Sequence, residues 1–263
     1  MIGGNYNTDF VGESNITIKS GFFRNVFGGN HYGTFNGNSY VNILGGSYEN
    51  AVVGGNFTDN FIGDAHLTFA GSASLLHTSG TQGIIGGTLG DVVGKNCTFT
   101  GNIYMTLGGV CGINHNAIGA SRNKTPLTKG NVEITIEDKA YAFYSIYAGG
   151  YINGLDGSTK VIVNGGDLNG SLFGGSYAGT VTGDTCIEVN GGKLCYYMVN
   201  MFSSFSSVAG TKNVFGGGEK GSMVNGSSTI RLNGGSVYGD IIGGEFEGIS
   251  TVKGVSKIIA TNG

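Results

Sequence analysis

Apolar residues recur along this chain in pairs two positions apart: Ile16/Ile18, Val41/Ile43, Leu67/Phe69, Met105/Leu107, Ile134/Ile136, Val161/Val163, Ile187/Val189, Ile230/Leu232 and Ile258/Ala260. A period of two puts each pair on one face of a strand and its neighbours on the other. Two shorter patterns travel with every pair. One is an apolar doublet ahead of a glycine corner, as in Val26-Phe27, Val52-Val53, Ile84-Ile85, Ile146-Tyr147, Leu172-Phe173, Val214-Phe215 and Ile241-Ile242. The other is an apolar run ending near glycine: Phe10-Val11-Gly12, Phe61-Ile62-Gly63, Val92-Val93-Gly94, and Met223-Val224 shortly before Gly226. The set returns about every 26 residues, most plainly in Leu172 to Gly192.

Three short strands per repeat with glycine at the bends describe one turn of a three-faced coil. Stacking the turns pairs each strand in parallel with its counterparts and fills the interior with the apolar columns. Parallel connections are overwhelmingly right-handed. The expectation is an all-β, right-handed, three-faced parallel β-helix of about nine coils, a single domain over residues 1–263. At the ordinary strand spacing the rod is about 43 Å long.

This register predicts columns on the outside as well. The outer neighbours run Asn15, Tyr40, His66, Tyr104, Glu133, Lys160, Cys186, Thr229 and Lys257 in one line. Thr17, Asn42, Thr68, Thr106, Thr135, Ile162, Glu188, Arg231 and Ile259 form the second. Glu133 then sits one coil below Lys160, and Glu188 one below Arg231, as exposed cross-strand ion pairs worth under about 1 kcal/mol each. Asn5, Asn30 and Asn56 follow Gly-Gly, whereas Asn164, Asn190 and Asn233 precede it. Stacked asparagines at corners are expected to hydrogen-bond side chain to side chain along the rod.

Three stretches interrupt the pattern, near residues 71–83, 110–130 and 193–213. Insertions in a solenoid become loops, often on one side and often functional. The first and third leave from the same corner, between the long strand and the next Gly-Gly. The third gathers Tyr196, Tyr197, Met198, Met201, Phe202 and Phe205, which suits stacking on sugar rings or packing against a protein. The second holds His115, Arg122 and Lys124, a base and two substrate clamps if the surface is catalytic.

Composition narrows the classes. Glycine supplies 53 residues and proline one, so collagen is excluded, and each glycine would cost a helix about 1 kcal/mol. With 39% hydrophobic and 12% charged residues, disorder is also a poor fit. A net charge of −3 without a Lys/Arg cluster argues against nucleic acid, and no apolar run is long enough to span a membrane. The first residues carry no signal peptide and, like the last, fall inside the repeat. The expectation is a piece of a longer chain, or a rod whose coil ends are capped by partners or by self-association.

The repeat VxGGxxxGxVxGDTxIxVxGG resembles those of right-handed parallel β-helix families. It is most similar to the glycine-rich repeats of large bacterial cell-surface and adhesin proteins, and more distantly to pectate-lyase-like polysaccharide enzymes and phage tailspikes. The first resemblance implies an extracellular bacterial surface module, an adhesive or binding scaffold for a host protein or glycan. The alternatives are a carbohydrate-active lyase or hydrolase and a phage or viral fibre segment. Enzymes of this fold cluster acidic residues around calcium or as an aspartate group. Here Asp64 and Asp184 share a corner position several coils apart, with Glu13 and Asn38 at the same place in earlier coils. That leans against an enzyme. His31, His66 and His77 lack metal-ligand spacing and no CxxC occurs, so no metal or cofactor is expected. Cys186 with Cys195, or Cys97 with Cys111, would bridge corners or remain thiols.

Overall fold

The computed structural model describes residues 1–76, 82–90, 97–123, 127–196, 212–246 and 251–261. Every strand pairing in them is parallel, and the apolar pairs hold the expected register. Ile16 pairs with Val41, Val41 with Leu67, and the series continues through Met105, Ile134, Val161, Ile187 and Ile230 to Ile258. The chain is a parallel β-solenoid.

Each coil carries four strand segments, one more than the sequence pattern indicates. The first is the five-residue strand, for example Thr159–Val163; the second is a two-residue strand such as Asp167–Leu168. The third is the doublet before glycine, Leu172–Phe173, and the fourth is Thr180–Val181. The second segment escapes notice because it contributes a single inward side chain per coil, such as Leu168 or Leu194, too little to form a pattern. The fourth segments make a nine-stranded sheet of their own. In the coil of Ala65–Leu75 that place is filled by Phe99-Thr100-Gly101, in register with Phe61 and Ile62. The sequence reading had assigned it to Val92-Val93-Gly94, which lies outside the described residues.

Repeat length is read from hydrogen bonds between equivalent corner residues. Successive separations are 26, 38, 29, 27, 26, 43 and 28 residues. Two coils are lengthened. In the first, Leu76 and Gln82 keep the coil register, their backbone N–H groups bonding the carbonyls of Tyr48 and Asn50, and residues 77–81 and 91–96 lie outside the described residues. In the second, residues 197–211 lie outside them. The stretch 110–130 is not interrupted throughout. Gly112–Ile113, Ala117–Ile118 and Leu127–Lys129 all keep their partners on both sides, and the coil separation there is 29.

The interior is ordered in columns. Val41, Ile43, Ile134, Ile136, Val161 and Ile187 are fully buried, whereas at the last coil Ile258 is exposed. On the fourth segment Phe10, Phe35, Phe61 and Phe99 stack with ring centroids 5.1, 4.9 and 4.6 Å apart, giving way to Thr128, Leu155 and Val181. Three buried hydroxyls of the inward column reach across their own coil: Ser39, Thr159 and Thr185 donate to the carbonyls of Gly54, Gly174 and Gly216 at 2.6, 2.5 and 2.6 Å, whereas the buried Ser14 and Ser228 hydroxyls at the same register position make no hydrogen bond among the described residues.

Polar columns line the corners in two ways. Asn190 Nδ2 donates to Asn164 Oδ1 at 3.0 Å and Asn233 Nδ2 to Asn190 Oδ1 at 2.9 Å, a side-chain ladder. Asn30 and Asn56 behave differently. Their Oδ1 atoms accept the backbone N–H of Asn5 and Asn30 in the preceding coil, each at 2.7 Å, and Asn56 Nδ2 returns to Asn60 O. Burial decides between the two modes. Asn30 and Asn56 are 0% exposed and must satisfy backbone groups that water cannot reach. Among the described residues, the ion pair on the first segment joins Lys160 to Glu188 at 3.5 Å, a diagonal contact. Glu133 is in register with Lys160, and Glu188 with Arg231, but neither straight pair closes.

Corner glycines are set by how closely the coils approach. Gly63 has φ +140°, and a methyl there would fall on the carbonyl of Gly37 in the coil below. A methyl on Gly54 would meet Gly86 O in the coil above. Gly63→Ala is therefore expected to lower stability by about 1–3 kcal/mol. Gly244→Ala, with no atom within 4 Å of its added methyl, should change stability by no more than about 0.5 kcal/mol. Urea unfolding of the two variants measures the contrast.

Candidate functional site

The bend between the second and third segments collects exposed aromatic residues from several coils. His115 follows Gly112–Ile113, and Tyr144 takes the equivalent place after Tyr141–Ala142. Their rings stack with centroids 5.8 Å apart. Phe143 meets Tyr144 edge-on at 5.3 Å, and the Lys212 ammonium lies 5.5 Å from the Phe143 ring centre. Higher on the same bend, Tyr196 packs 4.8 Å from Tyr238, with Lys193 Nζ 5.5 Å from the Tyr196 ring. Phe143, Tyr144 and Tyr238 are exposed. Leu76 and Tyr196, the last described residues before 77–81 and 197–211, both stand at this bend.

His115 and Tyr196, singled out from sequence, thus share one edge. Tyr197, Phe202, Phe205 and Lys124, with Met198 and Met201, fall outside the described residues. Arg122 starts from a different bend, after Gly119-Ala120-Ser121, but its guanidinium donates to the carbonyl of Gln82. Gln82 precedes Ile84 by two positions as His115 precedes Ala117, and Ile84 pairs with Ala117. Arg122 therefore reaches back across the third segment to the level of His115. Its charge is engaged there and over the Tyr151 ring, 4.8 Å from the centroid.

Beneath Arg122 runs a second apolar spine that the sequence reading missed. The outward members of the third segment, Phe27, Val53, Ile85, Ile118, Tyr147, Phe173 and Phe215, are buried. They are covered by residues just past each glycine corner: His31, Phe57, Leu89, Tyr151 and Tyr177. His31 stacks on Phe57 at 4.5 Å and Tyr151 on Tyr177 at 4.2 Å. The signal was present in the doublets, because two adjacent apolar residues in a strand of period two require cover on both faces.

Burial holds Tyr147 of this spine in its neutral form. Tyr147 donates its phenol hydrogen to Glu219 Oε2 at 2.6 Å. Burial, then the hydrogen bond and charge of Glu219, push its pKa far above the ordinary tyrosine value. All four cysteines are thiols; burial pushes Cys111 up to about 11 and Cys195 up to about 12, so neither is a poised nucleophile. Asp64 and Asp184 serve structure, accepting the backbone N–H of Asn102 and Ser227 at 2.7 Å each. Among the described residues no three His, Cys, Asp or Glu side chains converge as a metal site. Among the described residues, one open depression of about 460 Å³ lies beside Tyr104, Glu133 and Lys160, and another of about 430 Å³ beside Asp138, Asp167 and Lys193.

In comparisons with known proteins, no family model, no curated protein and no solved structure matches this chain.

The Tyr147–Glu219 contact joins two coils through the spine and is open to test. Tyr147→Phe keeps the ring stack on Phe173 (centroids 4.8 Å apart) but leaves the half-buried carboxylate without its donor. A loss of about 1–3 kcal/mol in urea unfolding is expected, and Glu219→Gln, which still accepts a hydrogen bond, should cost less.

Proposed function

We propose that the protein is a binding scaffold, an extracellular β-solenoid module of a bacterial surface protein that presents ligand contacts for a host protein or glycan. The carrying observation is the bend between the second and third segments. There Tyr144, Tyr196 and Tyr238 stand with Lys193 and Lys212 on the edge of an otherwise regular rod. Exposed aromatics beside cations are the usual energetic centres of recognition surfaces. A rigid parallel stack holds them at fixed spacing and so limits the ordering cost of binding.

The acidic residues that an enzyme of this architecture would use are spent on backbone capping, which supports a scaffold over a carbohydrate-active enzyme. The experiment is adhesion of the purified chain to immobilised extracellular proteins and glycans. Replacing Tyr144 and Tyr238 together by alanine is expected to lower affinity about tenfold, the size of one recognition hot spot, with the unfolding midpoint unchanged. Depolymerisation of a polysaccharide by the purified chain, abolished by a single substitution, would defeat the reading.

A further inference from the structure

The outer column of the first segment is aromatic for three coils and then stops. Tyr40, His66 and Tyr104 occupy it in register, with ring centroids 4.7 and 4.8 Å apart and planes inclined by 10° and 13°. Tyr104 turns one face to His66. Its other face looks along the rod toward the next coils, where the register places Glu133 and then Lys160. Neither is a ring, so the aromatic stack ends at Tyr104, which is 40% exposed. The larger surface depression, about 460 Å³, is found there.

Its polar rim is set by the corner ladder. Asn102 Oδ1 accepts the Asn131 backbone N–H at 3.1 Å, and Asn131 Oδ1 accepts that of Ser158 at 3.0 Å. With the oxygen of each amide committed to the next coil, its –NH₂ is the group left to solvent, one donor set per coil along the depression's edge. Lys160 leans toward Glu188, at 3.5 Å, and not toward Glu133. Among the described residues the Glu133 carboxylate has no cation of its own, and it accepts hydrogen bonds only.

An aromatic face, two fixed amide donors and an unpaired carboxylate acceptor fit a ligand with one flat apolar face and a rim of hydroxyls. A pyranose has that shape: its C–H face packs on the ring while its hydroxyls donate to Glu133 and accept from the amides. An acidic sugar fits worse, because Glu133 repels it and the Lys160 charge is already answered by Glu188. We propose that this depression is a subsite for a neutral pyranose unit of an oligosaccharide, the sugar packing on the exposed part of the Tyr104 ring where the Tyr40–His66–Tyr104 column ends, beside Glu133. The proposal rests on the binding-scaffold reading and narrows its ligand to a neutral glycan at a place distinct from the aromatic bend.

The test is calorimetric titration of the full chain with neutral gluco-, galacto- and manno-oligosaccharides beside oligogalacturonate. A neutral oligosaccharide is expected to bind, and Tyr104→Ala to weaken it roughly three- to tenfold, the size of one stacking contact. Glu133→Gln should weaken it roughly as much, whereas Tyr104→Phe should stay within roughly twofold of the parent. Lys257→Ala, at the far end of the same outer column, should leave sugar binding unchanged. Binding indifferent to both Tyr104→Ala and Glu133→Gln, a preference for the uronate, or no sugar binding would each overturn the subsite. Adhesion that still depends on Tyr144 and Tyr238 would then leave the scaffold reading standing. Shortened products, with binding still dependent on Tyr104, would uphold the subsite and overturn the scaffold reading.

Discussion

The coils of this rod lie so close at their bends that the carbonyl of one occupies the space where the next would carry a side chain. The rest of the structure follows from that approach. Gly37, Gly63, Gly101 and Gly130 form one column in which each would meet the carbonyl of its predecessor, and Gly28, Gly54 and Gly86 form another that faces the coil above. Glycine is used here for close approach of backbone to backbone, with positive φ an added demand at the first column only. Once the bends are in contact, the strands between them have no freedom of register. Every side chain then belongs to a column, and the columns decide both stability and surface chemistry.

The same contact creates a problem of polar groups. Backbone N–H groups at the bends point along the rod, and each finds an acceptor in the coil below. The chain supplies short side chains with oxygen: Asn38, Asp64, Asn102, Asn131, Ser158, Asp184 and Ser227 each accept from the coil above. Any residue with an oxygen at the right reach will serve. That explains why carboxylate, amide and hydroxyl alternate freely, and why two aspartates here are poor evidence of catalysis. The choice still has a consequence outward. An asparagine in the ladder leaves donors facing solvent, whereas an aspartate leaves a charge, so the polarity of the edge is written by the residues that hold the coils together.

Much of this was legible in the chain. Alternation in Ile187/Val189 and its equivalents fixes strand, face and neighbour at once, because a one-residue slip would turn the whole column outward. The apolar doublets were read as half of what they are. Val26 lies in the main interior and Phe27 in the second spine, but a doublet alone does not say what covers its outer member. The covering residues, His31, Phe57, Leu89, Tyr151 and Tyr177, share a position and not a residue type, so no repeat consensus contains them. His115 and Tyr196 were found by composition and do meet on one edge. Tyr104 was placed in its column but drew no attention, since its significance lies in the absence of a ring at Glu133, one coil later.

Catalysis and recognition make opposite demands on a periodic scaffold. Acid–base chemistry needs a few groups converging with their charged forms deliberately favoured or disfavoured near neutral pH. The strong shifts in this rod come from burial, at Tyr147, Cys111 and Cys195, and keep neutral forms neutral. They stabilise packing and poise nothing to react. Recognition of an extended ligand needs modest contacts repeated at a fixed spacing, and a solenoid supplies these wherever an outer column persists for several coils. The aromatic column of Tyr40, His66 and Tyr104 and the amide edge of Asn102 and Asn131 are such repeats. Where the aromatic column breaks, Glu133 takes the next register position, and the surface sets an exposed ring, a carboxylate and the amide edge side by side at the spacing of the coils, the kind of modest repeated contact an extended ligand can use.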